Sequence, residues 1–165
     1  MKQLMKSGYI YLIAALAIMG ILFFSSSQTY EQQSQIGLLS RLLKNEPFKE
    51  SLMSINFSYA GNEISIAAKG YFSFVEFFIR KGAHFFTYFA LGISWFLILN
   101  RQIKSVLLAS IVSWLSATGY AGLDEFHQMI TGGRTPLVED IMLDSIGALT
   151  GVVICLLVFA IKQKK

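Results

Sequence analysis

Arg80, His84 and Tyr88 recur at every fourth residue, so on a helix a guanidinium, an imidazole and a phenol stack along one face. A second group stands in Asp124-Glu125-Phe126-His127-Gln128. If that stretch is helical, Asp124, His127 and Gln128 share a face and Glu125 turns toward a different neighbour. Arg134 sits in the turn Gly132-Gly133-Arg134-Thr135-Pro136, and Asp140, Asp144, Gly147 and Gly151 form a third stripe at helical spacing. Guanidinium groups grip phosphate or carboxylate bidentately. An imidazole or carboxylate can serve as a general base, here Glu125, His127 or Asp124, with Arg134 steadying developing negative charge. An Asp/Glu/His set can also hold a divalent metal, but Asp-Glu-x-His lacks the His-Glu-x-x-His spacing of zinc hydrolases. No Ser or Cys stands in a nucleophile motif, and no cofactor or metal is expected.

The elements that position these groups are membrane helices. Only 15 % of the 165 residues are charged and 54 % are apolar, whereas a soluble domain carries about 25 % charge. The 14 Phe and 7 Tyr exclude a disordered chain, and two Pro and one Cys exclude collagen-like and disulfide-stapled designs. Four apolar runs, Tyr9 to Phe24, Ala83 to Leu99, Ser105 to Leu123 and Ile141 to Ile161, approach the roughly 20 residues that a hydrocarbon core requires. Helices satisfy their own backbone in lipid, so the expected fold is an all-α integral membrane protein with four transmembrane helices. Gly147 and Gly151 form a small-xxx-small pattern that lets another helix approach, aiming Asp144 at that neighbour, with Arg134, Arg80 or His84 as its expected partner.

Lys2 and Lys6, Arg101 and Lys104, and Lys162, Lys164 and Lys165 form three short basic clusters without acidic residues, and all ten Asp and Glu lie between Glu31 and Asp144. Basic loops stay cytoplasmic, so both ends are expected inside and the polar groups on the extracytoplasmic side of the cell membrane. The first run, followed by Ser25-Ser26-Ser27, also resembles a signal peptide with a small-residue cleavage site, and either reading leaves the other three orientations unchanged. The pI near 9.2 reflects these membrane-flanking clusters, so anionic lipid is the expected partner and nucleic acid is not. Arg80 and Lys81 have a simpler reading as residues snorkelling to lipid phosphates, which for Lys81 is preferred. Cys155 reads as a packing residue within the last helix.

The expected organisation is an N-terminal transmembrane helix (1–24), an extracytoplasmic amphipathic segment (25–76), a three-helix membrane domain (77–161) and a basic cytoplasmic tail (162–165). In the amphipathic segment, Leu38, Leu39, Leu42 and Leu43 recur at helical spacing until Pro47, giving a helix lying on the membrane or against the bundle. Phe57, Tyr59, Ile64 and Ile66 flank Gly61-Asn62 as in a short hairpin. The segment reads as a solvated connector in preference to a lid over a binding site.

Arg80-Lys81-x-x-His84-Phe85-x-x-Tyr88, Asp124-Glu125-x-His127-Gln128, Arg134, and Asp140 followed by Gly147 and Gly151 resemble the pattern of the VanZ-like family of bacterial membrane proteins, named for a member associated with teicoplanin resistance. The resemblance runs from about Phe77 to Val153. The family usually has Asn where this chain has Asp144, which changes the charge of the pocket. The resemblance implies a cell-envelope protein of a Gram-positive cell that reduces susceptibility to teicoplanin-type lipoglycopeptides.

Three functions fit these residues. The preferred one is a non-catalytic protein whose outward pocket, formed by Arg80, His84, Tyr88, Asp124, Glu125, His127, Gln128, Arg134, Asp140 and Asp144, binds an anionic or lipid-linked cell-wall component. The alternative is a membrane-embedded enzyme modifying a lipid-linked or phospholipid substrate at the outer leaflet. A transporter ranks last, because the acidic groups cluster at one end of the spans and no inverted repeat is visible.

Overall fold

The computed structural model describes residues 2–132 and 135–163, with side chains described for 8–131 and 135–162. In chain order the elements are α1 (Lys2–Ser26), α2 (Tyr30–Gln33), α3 (Ile36–Leu42), α4 (Lys49–Leu52), β1 (Phe57–Tyr59), β2 (Asn62–Ile64), α5 (Ile66–Lys69), α6 (Tyr71–Leu99), α7 (Val106–Gly132) and α8 (Val138–Gln163). The helices α1, α6, α7 and α8 are the four long and apolar enough to cross a membrane. The chain is thus a multi-pass helical membrane protein.

The helices extend beyond the apolar runs that reveal them. The second run begins at Ala83, yet α6 starts at Tyr71 and carries Glu76, Arg80 and Lys81 within a continuous helix. The third continues past Leu123 to Gly132, so the Asp124 to Gln128 group is helical. Hydropathy falls where these charges occur, but the helical backbone does not stop there.

Small residues set the packing in the spans. Ala15, Ala117, Ala121 and Ala148 are fully buried with Tyr88 and Leu91 between the four helices. Helices α6 and α8 make the closest approach. A Cβ on Gly147 would lie 2.5 Å from Phe85 O, one on Gly151 would lie 3.1 Å from Ile93 Cγ1, and one on Gly92 would lie 2.9 Å from Ala148 Cα. Polar ties join α7 to α8: Trp114 Nε1 donates to Ser145 Oγ at 2.9 Å, and the Thr118 hydroxyl meets the same oxygen at 2.8 Å. Tyr120 Oη donates to Met19 O at 2.6 Å, tying α7 to α1.

Antiparallel packing gathers the C-terminal ends of α1 and α7, the N-terminal ends of α6 and α8, and the 27–70 segment at one end of the bundle. The opposite end carries the connection between α6 and α7, where the Arg101 guanidinium lies 5.1 Å from the Tyr11 ring centroid. The 27–70 segment contains a hairpin with Phe57 opposite Ile64 and Tyr59 opposite Asn62, so the turn falls one residue before the expected Gly61-Asn62 and Ile66 opens α5 in place of extending the strand. Its two-residue turn, Ala60-Gly61, has φ of 49° and 75°, the sign that a tight right-twisted hairpin demands at both positions. Helix α2 opens on a capping box, in which Thr29 Oγ1 accepts from Gln32 N at 3.3 Å and Gln32 Oε1 accepts from Thr29 N at 2.9 Å. Ile64 and Ile66 close a second apolar cluster with Tyr71 and Phe74 of α6.

Candidate functional site

The 27–70 segment packs onto the polar end of the bundle through its own side chains. Tyr59 Oη donates to Asp140 Oδ1 at 2.6 Å, joining the hairpin to the first turn of α8. Burial and the neighbouring Asp140 carboxylate hold the Tyr59 phenol well above the usual tyrosine range. Lys81 makes an ion pair with the same Asp140 oxygen, and its ammonium lies 4.8 Å from the Tyr59 ring centroid and 5.6 Å from that of Phe77. Snorkelling therefore does not describe Lys81. A carboxylate on α8 and two aromatic faces hold it in protein; Phe77 is its i−4 neighbour on α6, whereas Asp140 and Tyr59 lie too far along the chain for local spacing to reveal.

Arg80, one residue earlier, takes a different direction. Its Nη2 donates to Gln33 Oε1 at 2.7 Å, and its guanidinium lies 4.7 Å from the Tyr30 ring centroid. Gln33 is itself fixed, since its Nε2 donates to Ser25 O and to Ser25 Oγ. Glu76, one helical turn before Arg80, is 1 % exposed. It accepts from Gln35 N and, at 3.4 Å, from Tyr30 Oη. A buried carboxylate needs such donors, so α2 and the residues after it are tied to α6.

Deeper in the bundle, His84 Nδ1 lies 3.3 Å from Asp144 Oδ2, and the Asp144 side chain is 3 % exposed. Of the three partners anticipated for Asp144, the structure brings His84 to it. Gln128 Nε2 donates to Asp124 Oδ2 at 3.3 Å. Tyr88 is fully buried one turn beyond His84, their rings stacked at 6.5 Å. Among the described residues, Tyr88 Oη, Asp124 Oδ1 and Asp144 Oδ1 are buried without a hydrogen-bond partner. Glu125 accepts from Leu137 N at 3.0 Å, capping the approach to α8 with its carboxylate.

Two cavities border this arrangement. The first, ≈ 250 Å³, lies beneath the hairpin and is lined by Arg80, Lys81, His84, Glu125, Gln128 and Asp140, with Tyr30, Tyr59 and Glu76 among the remaining walls. The second, ≈ 400 Å³ and more open, lies beside α2. Arg80 and His84 border both.

Of the residues singled out in the sequence, Arg80, His84, Glu125, Gln128 and Asp140 line the first cavity, whereas Tyr88, Asp124 and Asp144 lie buried behind His84. His127 faces elsewhere. Its ring stacks on Phe23 at 4.3 Å between centroids, and its Nδ1 lies 2.7 Å from Ser26 Oγ, so it packs against α1. Arg134 lies outside the described residues. Tyr30, Gln33, Tyr59, Glu76 and Lys81 join the site without having been anticipated. The one local signal for Glu76 is a carboxylate at i−4 from Arg80 inside an aromatic run. Among the described residues, no cluster of three or more His, Cys, Asp or Glu has a metal-holding arrangement.

The fold and site define a class: a helical membrane protein with a mixed-charge cleft at one end of a four-helix bundle, roofed by a short hairpin. A comparison with family profiles matches residues 11–159 to the VanZ/LLP1 family, and the chain belongs to that family. No curated protein and no solved structure matched the chain.

Proposed function

We propose that this VanZ-like protein is a cell-envelope component that binds an anionic or lipid-linked ligand in the cleft, on the extracytoplasmic side, and thereby lowers susceptibility to teicoplanin-type lipoglycopeptides. One observation carries the binding reading. Arg80, Lys81 and His84 border a cavity of ≈ 250 Å³ at a helix end, roofed by Tyr59. A guanidinium and an imidazole on the wall of a cavity at the end of the spans suit a phosphate whose acyl chains remain in the bilayer. The extracytoplasmic side is supported by the sequence, in which three short basic clusters at 2–6, 101–104 and 162–165 carry no acidic residue while all ten Asp and Glu fall between Glu31 and Asp144. Resistance is supported by membership of the VanZ/LLP1 family.

The test is susceptibility of a sensitive Gram-positive host expressing the wild type or Arg80→Ala at matched membrane levels, with vancomycin beside teicoplanin. Protection against teicoplanin that Arg80→Ala loses is the expected result. No protection from the wild type would overturn the resistance reading.

A second reading, an enzyme on the same ligand class, is favoured by His84. Its imidazole borders both cavities, and a buried carboxylate orients it, as a general base requires. Turnover of a lipid-linked phosphate by the purified protein, abolished in His84→Ala, would select this reading over binding alone.

A further inference from the structure

The two cavities have different chemistry. Beneath the hairpin, the Lys81 charge is already answered by Asp140, and Glu76 and Glu125 stand in the same lining as Arg80 and Lys69. Beside α2, the lining is Ser25, Gln28, Gln32, Gln33, Ser34 and Gln35, closed by Ile79, Arg80, Ala83 and His84 of α6. It holds four glutamines, two serines, one guanidinium, one imidazole and no carboxylate.

Arg80 is the hinge between the two. Gln33 Oε1 takes the Nη2 donor, and Gln33 is locked by Ser25, so the guanidinium orientation is set from the α2 side. Arg80 Nη1 is buried and has no hydrogen-bond partner among the described residues. Among the described residues, Arg80 makes no ion pair. A buried guanidinium donor without an acceptor is costly, and the acceptor it suits is an anionic oxygen. Carboxamides and hydroxyls both donate and accept, as do the hydroxyl and acetamido groups of polyols and sugars. A groove of ≈ 400 Å³ also lies within the range of about 300 to 1,000 Å³ common for small-ligand sites.

We infer that the groove beside α2 is a headgroup subsite, in which Arg80 and His84 hold the phosphate of an anionic ligand while the Gln28 and Gln35 carboxamides take an uncharged polyol or sugar attached to it. The inference rests on the reading that the cleft binds an anionic envelope component, and it narrows the class to phosphodiesters or diphosphates carrying a hydroxyl-rich group. A bare phosphate monoester would fill the Arg80 end alone. Gln33 acts as a positioning residue, through Arg80.

The experiment uses the full-length protein in phosphatidylcholine nanodiscs. Binding is measured for phosphatidic acid, a monoester without a headgroup, for phosphatidylinositol, a diester of a polyol, and for soluble inositol phosphate. The wild type is expected to prefer phosphatidylinositol to phosphatidic acid by about tenfold or more, the scale of one or two good hydrogen bonds. Gln28→Leu with Gln35→Leu should remove that preference and leave phosphatidic acid binding within about twofold, while Arg80→Ala should weaken both lipids. Gln35→Glu, a change at an exposed position, should weaken both lipids by placing a carboxylate in the groove, and it guards against a folding defect in the double variant. Soluble inositol phosphate binding as tightly as the lipid would assign the ligand to a free source with the same headgroup chemistry, which also supports the subsite. Equal binding of the two lipids by the wild type would overturn the subsite and leave the anion-binding reading standing. A preference that survives the double variant would overturn it too. Failure of every anionic probe to bind would overturn both.

Discussion

Replacing Gly147 by alanine adds one methyl group where two helix backbones meet. That methyl would lie 2.5 Å from Phe85 O and 3.2 Å from Phe85 C, and both contacts are backbone atoms that no rotamer can relieve. Restoring ordinary contact requires α6 and α8 to separate by about 0.7 to 1 Å, and overpacking of this kind costs about 1 to 3 kcal/mol. Alanine also favours the helix over glycine by about 0.8 to 1 kcal/mol in water, which partly masks the loss. Gly82→Ala supplies the control, because it gains the same propensity on α6 and its Cβ meets nothing within 4 Å. The stability difference between the two variants is therefore the packing cost alone, about 1 to 3 kcal/mol, or roughly 5- to 150-fold in the folding equilibrium. Unfolding in mixed micelles by titration with sodium dodecyl sulfate, followed through the fluorescence of Trp95 and Trp114, measures it. The same separation would open the site, since Phe85 follows His84 and Gly147 lies one turn from Asp144, whose Oδ2 is 3.3 Å from His84 Nδ1. Gly147→Ala as stable as Gly82→Ala would refute the close approach and the account of how the His84–Asp144 pair is held.

Tyr59→Phe keeps the ring over Lys81 and removes the 2.6 Å bond to Asp140, so the hairpin should dock less tightly by about 1.5 to 3 kcal/mol. Amide exchange across 57–64 should then rise more than tenfold while the four long helices are unchanged, and an unchanged hairpin would sink this. The Tyr59 pKa is raised in the folded state, so the phenol's contribution to docking is complete below the unfolded value of about 10 and is lost as pH rises through the folded value. Tyrosinate absorbance of the folded protein at pH about 11 should accordingly be the same in wild type and Tyr59→Phe. His127→Ala should lower stability by about 1 to 3 kcal/mol through loss of the Phe23 stack and the Ser26 bond. Anionic lipid binding should meanwhile stay within about twofold, and a selective loss of binding at full stability would return His127 to the site. In a Cys155→Ser background, an impermeant maleimide should label Ser54→Cys in intact cells and Gln102→Cys only after permeabilisation, and the reverse pattern would invert the orientation.

The four spans were legible because lipid-facing helices announce themselves by composition. The hairpin was legible as an element, because a glycine between two short apolar runs signals a tight turn, but its register was not: the turn is Ala60-Gly61, with Asn62 paired to Tyr59 in the ladder. The first turns of α6 were not. Glu76, Arg80 and Lys81 lower the local hydropathy, and the partners that keep them in a helix at the membrane edge are Gln35, Gln33 and Asp140, remote in the chain. The face of His127 was equally out of reach, because residues 124, 127 and 128 span a broad arc of helix and only the position of α1 determines which side faces the cleft. Helical spacing reports which groups can be neighbours on one element, but it does not report what stands opposite.

The reading of the 27–70 segment as a solvated connector fails for that reason, and the failure bears on function. A connector's polar groups would face water, whereas Tyr30, Gln33, the Gln35 amide and Tyr59 each bond a charged group of α6 or α8. Those charged groups lie within or beside membrane spans, where an unanswered charge is costly. The segment therefore does chemical work that lipid headgroups and water would otherwise do, and it divides the space around Arg80 into two chambers of different polarity. On the proposed binding reading, that division is what would make selection possible: a single open cleft with these cations would accept any phosphate, while a guanidinium fixed between a mixed-charge chamber and an amide-rich one would favour ligands carrying the right group on each side.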